Sequence, residues 1–489
     1  LNQIVFACAV AVAGVMATNT ALAQSSGATA LTMQRTVALP AQPLGQAINT
    51  LAREWGVAIS VDASLAAGHT APAVQGGLTL AQALQRVLGD TGLVAAPSGS
   101  AIVIQRRGEA TSVLAPVTVT ADAEHETATG PVFGYVAQRS TTGTKTDTPI
   151  LEIPQSISVI GREEMEARGA LNVMDAIRYS PGVTTSTYGP DNRGWEDILL
   201  RGFNAYTGTY RDGLAQTPFG TDYYMTEPYG LERVEVLRGP SSMVFGQGDA
   251  GGIINRVSKQ ATGARIREVE LQYGSFDRQQ LAFDLGDQLP NTDLSYRLVG
   301  VWLDSNDQDQ YSDGHKLNRT RNYIAPSLRW QPNAGTSFTL LGEYMKNKSA
   351  EDPYYFNANG RYLPIKMGDW SFSKIQQEQA SLGYKFETRL NDDWTLRQNL
   401  RHTQISLDRS AVWFDSLDDD GHTVNRIART WNEPLRQTAV DTSVQGKLRT
   451  ASTEHTLLLG LDWNRLKGKS QRFIGDAPTL DINQPVYGQ

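Results

Sequence analysis

Residues 231–259, LERVEVLRGPSSMVFGQGDAGGIINRVSK, separate two textures and limit what the chain can fold into. An alternating run, Val234-Glu235-Val236-Leu237, meets Arg238-Gly239-Pro240. Gly246, Gly248, Gly251 and Gly252 follow, then a second β-branched run, Ile253-Ile254-Asn255-Arg256-Val257. Two strands joined by glycine-permitted reversals are expected. Gly246, Gly248 and Gly251 also fit the GxGxxG dinucleotide fingerprint, with Glu268 and Glu270 downstream. That fingerprint must follow a strand directly and open a helix. Here the first strand ends at Leu237, and the glycines lead into a run with no helical stripe, so a phosphate cradle is set aside.

From about residue 265 the pattern has period 2. Leu294, Tyr296, Leu298, Gly300 and Trp302 form one such series. Phe338, Leu340, Gly342 and Tyr344 form another, and Leu457, Leu459, Leu461 and Trp463 a third. Period 2 with aromatics near strand ends is the pattern of an outer-membrane barrel. The polar stretches 304–318 and 353–369 are expected as extracellular loops, and 333–335 and 391–392 as periplasmic turns. Asp418-Asp419-Asp420-Gly421 hints at a calcium loop, but the terminal Glu of the 12-residue spacing is missing, so a solvated loop is expected. Residues 265–489 suffice for roughly 9–11 strands, too few for the larger closed membrane barrels. The chain opens on Leu1 rather than Met and ends on Tyr487-Gly488-Gln489. The expectation is a fragment, roughly the N-terminal two-thirds of a longer chain.

Residues 4–17 are almost continuously apolar but at ~1.5 Å per residue reach only about 21 Å, short of the ~30 Å hydrocarbon core. With Ala21-Leu22-Ala23 before Gln24, residues 1–23 read as a secretory signal peptide. Cys8, the single cysteine, lies inside it and reads as an ordinary signal-peptide residue rather than an acylation site. No other run approaches the roughly 18 residues of a spanning helix, so membrane insertion requires a closed barrel. A net charge of −7 gives no case for nucleic-acid binding.

Residues 28–107 repeat a helix–strand unit. Residues 43–55 place Leu44, Ala47, Ile48, Leu51 and Trp55 on one helical face, Gly56 ends it, and 57–61 follow as a strand. The second copy is 79–88, with strand 101–105. A linker, 108–133, contains Pro116-Val117-Thr118-Val119-Thr120-Ala121, a β-favouring run suited to adding to the edge of a partner's sheet. In 134–262 a helix is expected over 162–179, stopped by Pro181. The fold class is multidomain: a small α/β domain, an α+β domain, and an incomplete antiparallel transmembrane β-barrel.

Several of these stretches carry a resemblance. LERVEVLRGPSS, Phe245-Gly246 and GGIINRVSK, with Lys145-Thr146-Asp147-Thr148-Pro149, IPQSISVI, DAIRYSPGV and ILLRGF, resemble the plug of TonB-dependent outer-membrane siderophore receptors. LPAQPLGQAINTLAREWGVAISVD and LTLAQALQRVLGDTGLVA resemble the secretin/TonB short N-terminal domain. The resemblance implies a signalling domain at 28–107, a TonB box near 115–121, a plug at 134–262, and part of a 22-stranded barrel at 265–489. It implies uptake of a ferric siderophore across the bacterial outer membrane, driven by TonB with ExbB and ExbD. The N-terminal domain, in the periplasm, would signal occupancy to an inner-membrane anti-sigma regulator. No bond is made, so no enzyme is expected. Iron arrives chelated, so neither cofactor nor metal ligand is expected. Candidate ligand contacts are Trp195, Arg201, Tyr206, Tyr210, Phe219, Tyr223 and Tyr224, since siderophore complexes suit aromatics with a few cations. In ferrichrome-type relatives an adjacent Phe-Tyr pair precedes the acid-Pro pair; here Gly-Thr-Asp follows Phe219 and splits the match. The alternatives are a transporter of cobalamin or an oligosaccharide, or a surface sensor without transport.

Overall fold

The computed structural model describes residues 34–489, apart from 62, 67, 99–100, 107–125, 188, 190–192, 221–223, 247, 249, 353, 359 and 451. The signal peptide and the proposed TonB box, Pro116 to Ala121, lie outside the described residues. The chain forms two units, 1–123 and 124–489.

In the first unit the apolar stripes fold as their period requires. Helix α1 (Leu44–Trp55) buries Leu44, Ala47, Ile48, Leu51 and Trp55, and Gly56 ends it in the left-handed conformation. Helix α2 (Leu80–Leu88) starts from a reciprocal capping box, Thr79 with Gln82. The two stripes meet in one core with Val37, Val74, Ile102 and Ile104. Strand Ala58–Val61 runs parallel to Ala101–Arg106, whose other edge pairs with Leu93–Ser98. Gln34–Leu39 pairs with Val74–Thr79 as a separate ribbon.

In the second unit the stretch that divided the sequence becomes the centre of a five-stranded sheet. Strand β1 (Leu231–Arg238) pairs antiparallel with β2 (Gly252–Ser258), and nearly every residue of both is buried. A Cβ on Gly252 would lie 2.0 Å from the Leu237 carbonyl oxygen, and its φ is 129°, so only glycine fits that reversal. The glycines lead into a buried strand, which closes the dinucleotide reading. The expected helix over 162–179 is instead two short helices, Arg162–Ala167 and Val173–Ile177. Gly169 at φ 62° breaks the first, and the Asn172 side chain caps the second by accepting from Asp175 N at 2.8 Å.

Ten strands beyond residue 265 form one antiparallel sheet among the described residues. The last two, Thr453–Gly468 and Gln471–Asp481, pair with successive halves of Thr423–Thr450, so the wall is nine strands wide. Alternation sets its faces. Trp302, Leu340, Tyr344, Leu459, Leu461 and Trp463 point outward and stay exposed, as a lipid-facing band requires. The intervening residues point inward, and several of them, such as Val301, Tyr323 and Met345, pack with Met225 of the plug. Connections at one end are short, such as 334–335 and 390–393, and those at the other end include residues 351–373. One loop expectation is corrected. Strands Leu294–Gln310 and Lys316–Asn333 extend through most of 304–318 and leave 311–315 as the turn, because polar residues on both faces suit a strand standing clear of lipid. Strand Thr423–Thr450, 28 residues long, is likewise far longer than the roughly 10 residues a bilayer requires. The aspartates 418–420 form a hairpin turn in which Asp420 accepts from His422 N, Thr423 N and the Thr423 hydroxyl.

Candidate ligand and gating sites

Strand order places the plug segment 193–196 beside the upper, loop-proximal part of the wall. Strand β3 (Trp394–Leu417) and strand β4 (Thr423–Thr450) present odd-numbered residues inward. Their register sets Arg409 directly opposite Trp431. The Arg409 guanidinium lies 4.4 Å from the Trp431 ring centroid and 4.6 Å from that of Trp195. Arg193 stacks on Trp195 at 4.1 Å. Trp413, two inward positions along from Arg409, tilts against Trp431 at 5.3 Å, and Arg429 lies over Trp413 at 4.7 Å. Glu351 joins the stack: it accepts from Arg193 at 2.7 Å and from Arg409. Cations sandwiched on indoles in a desolvated place attract by the ring quadrupole and keep a charge-bearing apolar surface available.

The candidate ligand residues divide. Trp195 is central to this cluster. Tyr206 and Arg201 are solvent-exposed, and Arg201 lies beside Gly182 and Gly239. Tyr210 is buried against Phe245, with ring centroids 5.1 Å apart. Phe219 seats on Gly468 of the wall, where a Cβ would lie 2.3 Å from its ring. The Tyr224 hydroxyl donates to Gln437 on β4. Tyr210, Phe219 and Tyr224 thus pack the plug and its wall contact, because those rings fall on the inner side of plug strands and turns. Tyr223 lies outside the described residues. The sequence reading missed Glu351, Arg409, Trp413, Arg429 and Trp431. Their signal is Arg and Trp at even spacing on adjoining strands, 409/413 and 429/431, legible only once the inward parity is known.

A second constellation fixes plug to wall. Asp212, at φ 52°, accepts from Lys385 at 2.9 Å, Arg401 at 2.5 Å and the Ser258 hydroxyl at 2.6 Å. Burial would raise its pKa, but Lys385, Arg401 and Arg211 overcome that and hold the carboxyl well below the usual range. Arg211 reaches Glu343 on the wall at 2.7 Å. Lys259 and Arg297 share Asp284, and Arg297 also binds Glu232 at 2.9 Å. Gln437 bonds the backbone of Ala215 and Thr217.

A third lies where the linker enters the plug. Glu235 is fully buried and accepts from Ser140 and Thr142. Arg233 Nε lies 3.2 Å from Glu235 Oε1 but is not aligned for a hydrogen bond; its terminal nitrogens donate to Thr127 O and Arg139 O. Burial pushes the Glu235 carboxyl up, against the pull of Arg233 and the two hydroxyls. Lys145 bridges Asp441 and Asp462 of the wall at 2.7 and 2.8 Å. A cavity of about 950 Å³ lies between this segment, Asp212 and wall residues such as Lys385 and Asp441.

A plug sheet riveted by buried ion pairs to the inner face of an antiparallel wall, whose outer face is apolar, defines a plugged outer-membrane receptor. Residues 149–253 match the TonB-dependent receptor plug domain, and 57–107 match the secretin and TonB N-terminus short domain. The chain belongs to the TonB-dependent outer-membrane receptors. It is 33% identical over 406 residues to the ferrichrome outer membrane transporter/phage receptor of Escherichia coli K12, covering 76% of this chain and 53% of that protein. It is 31% identical over 382 residues to the ferrioxamine receptor of Yersinia enterocolitica, with the same coverage. The chain spans about half the length of these curated relatives. In fold it is similar to the ferripyoverdine receptor of Pseudomonas aeruginosa, at TM-score 0.60 and 22% identity over 90% of this chain and 57% of that one. It is also similar to the ferric-catecholate import receptor Fiu of E. coli K12, at TM-score 0.63 and 20% identity, over 72% and 52%. These relatives are transporters and receptors, not enzymes.

Proposed function

We propose that the protein takes up a ferric siderophore across the outer membrane, powered by TonB, and that residues 28–107 relay occupancy to an inner-membrane anti-sigma regulator. The observation that carries the reading is the Trp195 ring held between Arg193 of the plug and Arg409 of the wall. A ligand docking there touches both the plug and the wall. Indoles and guanidiniums suit a bulky chelate that is partly apolar and partly charged. The iron stays inside its chelate, so the protein supplies shape and charge rather than metal ligands. TonB, energised by ExbB and ExbD, would pair with Pro116 to Ala121 by strand addition and pull. Relatives named for ferrichrome and ferrioxamine support siderophores over cobalamin or oligosaccharides. Growth of an iron-starved strain on pure ferric siderophores tests this: at least one should rescue, and deletion of residues 116–121 should abolish rescue. Rescue by none would overturn it. Signalling is tested by deleting residues 28–107, which should remove ligand-induced transcription and leave uptake intact; retained induction would overturn that role.

A further inference from the structure

Glu351 is where three parts of the molecule meet. It begins the long connection 351–373, and its carboxylate is buried between Arg193 of the plug apex and Arg409 of the wall. One oxygen, Oε1, takes both contacts, while Oε2 is buried with no hydrogen-bond partner. The cationic side is also under-satisfied. Arg409 Nε and Arg429 Nε are buried without a partner. Glu433, the next inward position after Trp431, is engaged by Arg472 at 2.7 Å and by the Ser470 hydroxyl. Buried guanidinium N–H groups left without an acceptor are costly, because they have given up water and gained nothing in return. Tyr354, half exposed and within 5.9 Å of Arg193, lies at the rim of the cluster.

We infer that the ligand is an anionic ferric chelate, of the carboxylate or catecholate kind, and that one of its anionic oxygens replaces Glu351 between Arg193 and Arg409. The inference rests on the ferric-siderophore reading and narrows it. Glu351, between Arg193 and Arg409, stands where the ligand's negative group would go. A multidentate anion then satisfies Arg409 Nε and Arg429 as well, which one carboxylate oxygen cannot. Displaced, Glu351 takes the root of residues 351–373 with it, so docking changes how that connection is held.

The test uses the full-length receptor purified from outer membranes. Quenching of its tryptophan fluorescence is titrated with a trianionic ferric tris-catecholate, neutral ferrichrome and cationic ferrioxamine B. The wild type should bind the tris-catecholate at least about tenfold more tightly than either other chelate. Glu351→Gln should tighten the anion several-fold and leave ferrichrome unchanged, because the competing charge is gone and the shape is kept. Arg429→Gln, at a residue that rests on the Trp413 ring rather than in the Glu351 ion pair, should weaken the anion selectively. Hydrogen exchange over 351–373 should speed up when the anion binds. Equal or tighter binding of the neutral or cationic chelate would overturn the inference. So would a Glu351→Gln effect that is the same for all three, or slower exchange over 351–373. If none of the three binds the wild type, the siderophore reading itself fails.

Discussion

Residues 126–147 and residues 209–261 lie on one plug, yet the side chains of the first bond chiefly to the plug sheet, while the second, which builds that sheet, also reaches the wall at many points. The leading segment hangs on Arg233, Glu235 and Asn255 through Thr127, Arg139, Ser140 and Thr142. Its ion pairs to the wall run through Lys145. The later part is riveted by Asp212, Arg211, Glu232 and Lys259, by Gln437, and by Ala261 N donating to Ser327 at 2.8 Å. Under the proposed function, force enters at residues 116–121 and meets the leading segment first. The difference implies stepwise yielding: 126–147 withdraws and enlarges the cavity beneath it, while 209–261 stays docked. Closure and passage then belong to different parts of one domain.

The strongest way to break this comparison is to crosslink each part in place. The Thr142 and Asn255 side chains already meet at 2.9 Å. A Thr142→Cys, Asn255→Cys disulfide should abolish uptake and leave ligand binding unchanged, with recovery on reduction. An Ala261→Cys, Ser327→Cys disulfide should leave uptake near wild type. If the second blocks and the first does not, the assignment of moving and fixed parts is reversed.

Next in size is the rivet. Asp212→Asn leaves Lys385, Arg401 and Arg211 without their shared carboxylate. Removing one partner of a buried ion network costs about 3–5 kcal/mol. The expected result is a plug lost to proteolysis at lower temperature and outer membranes leaky to large antibiotics. Because its folded pKa is depressed, Asp212 contributes stability that is present above the unfolded value of about 3.9 and is lost only as pH falls below it. Plug docking should therefore be insensitive between pH 7 and 5. Lys145→Ala should have a smaller effect, about 1 kcal/mol, since its side chain is partly solvated. Leaving Asp441 and Asp462 opposed, it should speed hydrogen exchange over 126–147 and not over 209–261.

Much of this division was legible in the sequence, and the remainder was not for a definite reason. The strands at 231–259 announced themselves because β-branched alternation and glycine reversals are local. The wall announced itself through period 2, and its outward residues fall where alternation puts them. The helix over 162–179 was overextended because Gly169 and the Asn172 cap outweigh an acidic N-terminus. The ion pairs were hidden because their partners are remote in sequence: Asp212 meets Lys385 and Arg401, and Arg193 meets Glu351. Burial alone does not reveal such pairs, since an Arg or Asp in a polar strand reads as a solvated face until its register is known. The aromatic candidates could not be told apart for the same reason. Tyr210, Trp195 and Phe219 look alike in sequence, and only topology sends one into the plug, one to the ligand cluster and one against Gly468.

The finest test uses the opposite pH responses of the two regions. Burial raises the Glu235 pKa, so its folded value lies above the unfolded value of about 4.3. Its contribution is fully present below that value and is lost as pH rises through the raised pKa. The leading segment should thus grip more tightly as pH falls from 7 toward 5, in a window where the Asp212 rivet is constant. Hydrogen exchange over 139–147 should slow with falling pH after correction for the intrinsic rate, and exchange over 252–258 should not change. Glu235→Gln keeps groups able to bond Ser140 and Thr142 but removes the titrating proton, so this slope should flatten. A slope that persists in Glu235→Gln would place the pH sensor elsewhere. A slope of opposite sign would mean that the ion pair with Arg233, rather than burial, dominates the latch.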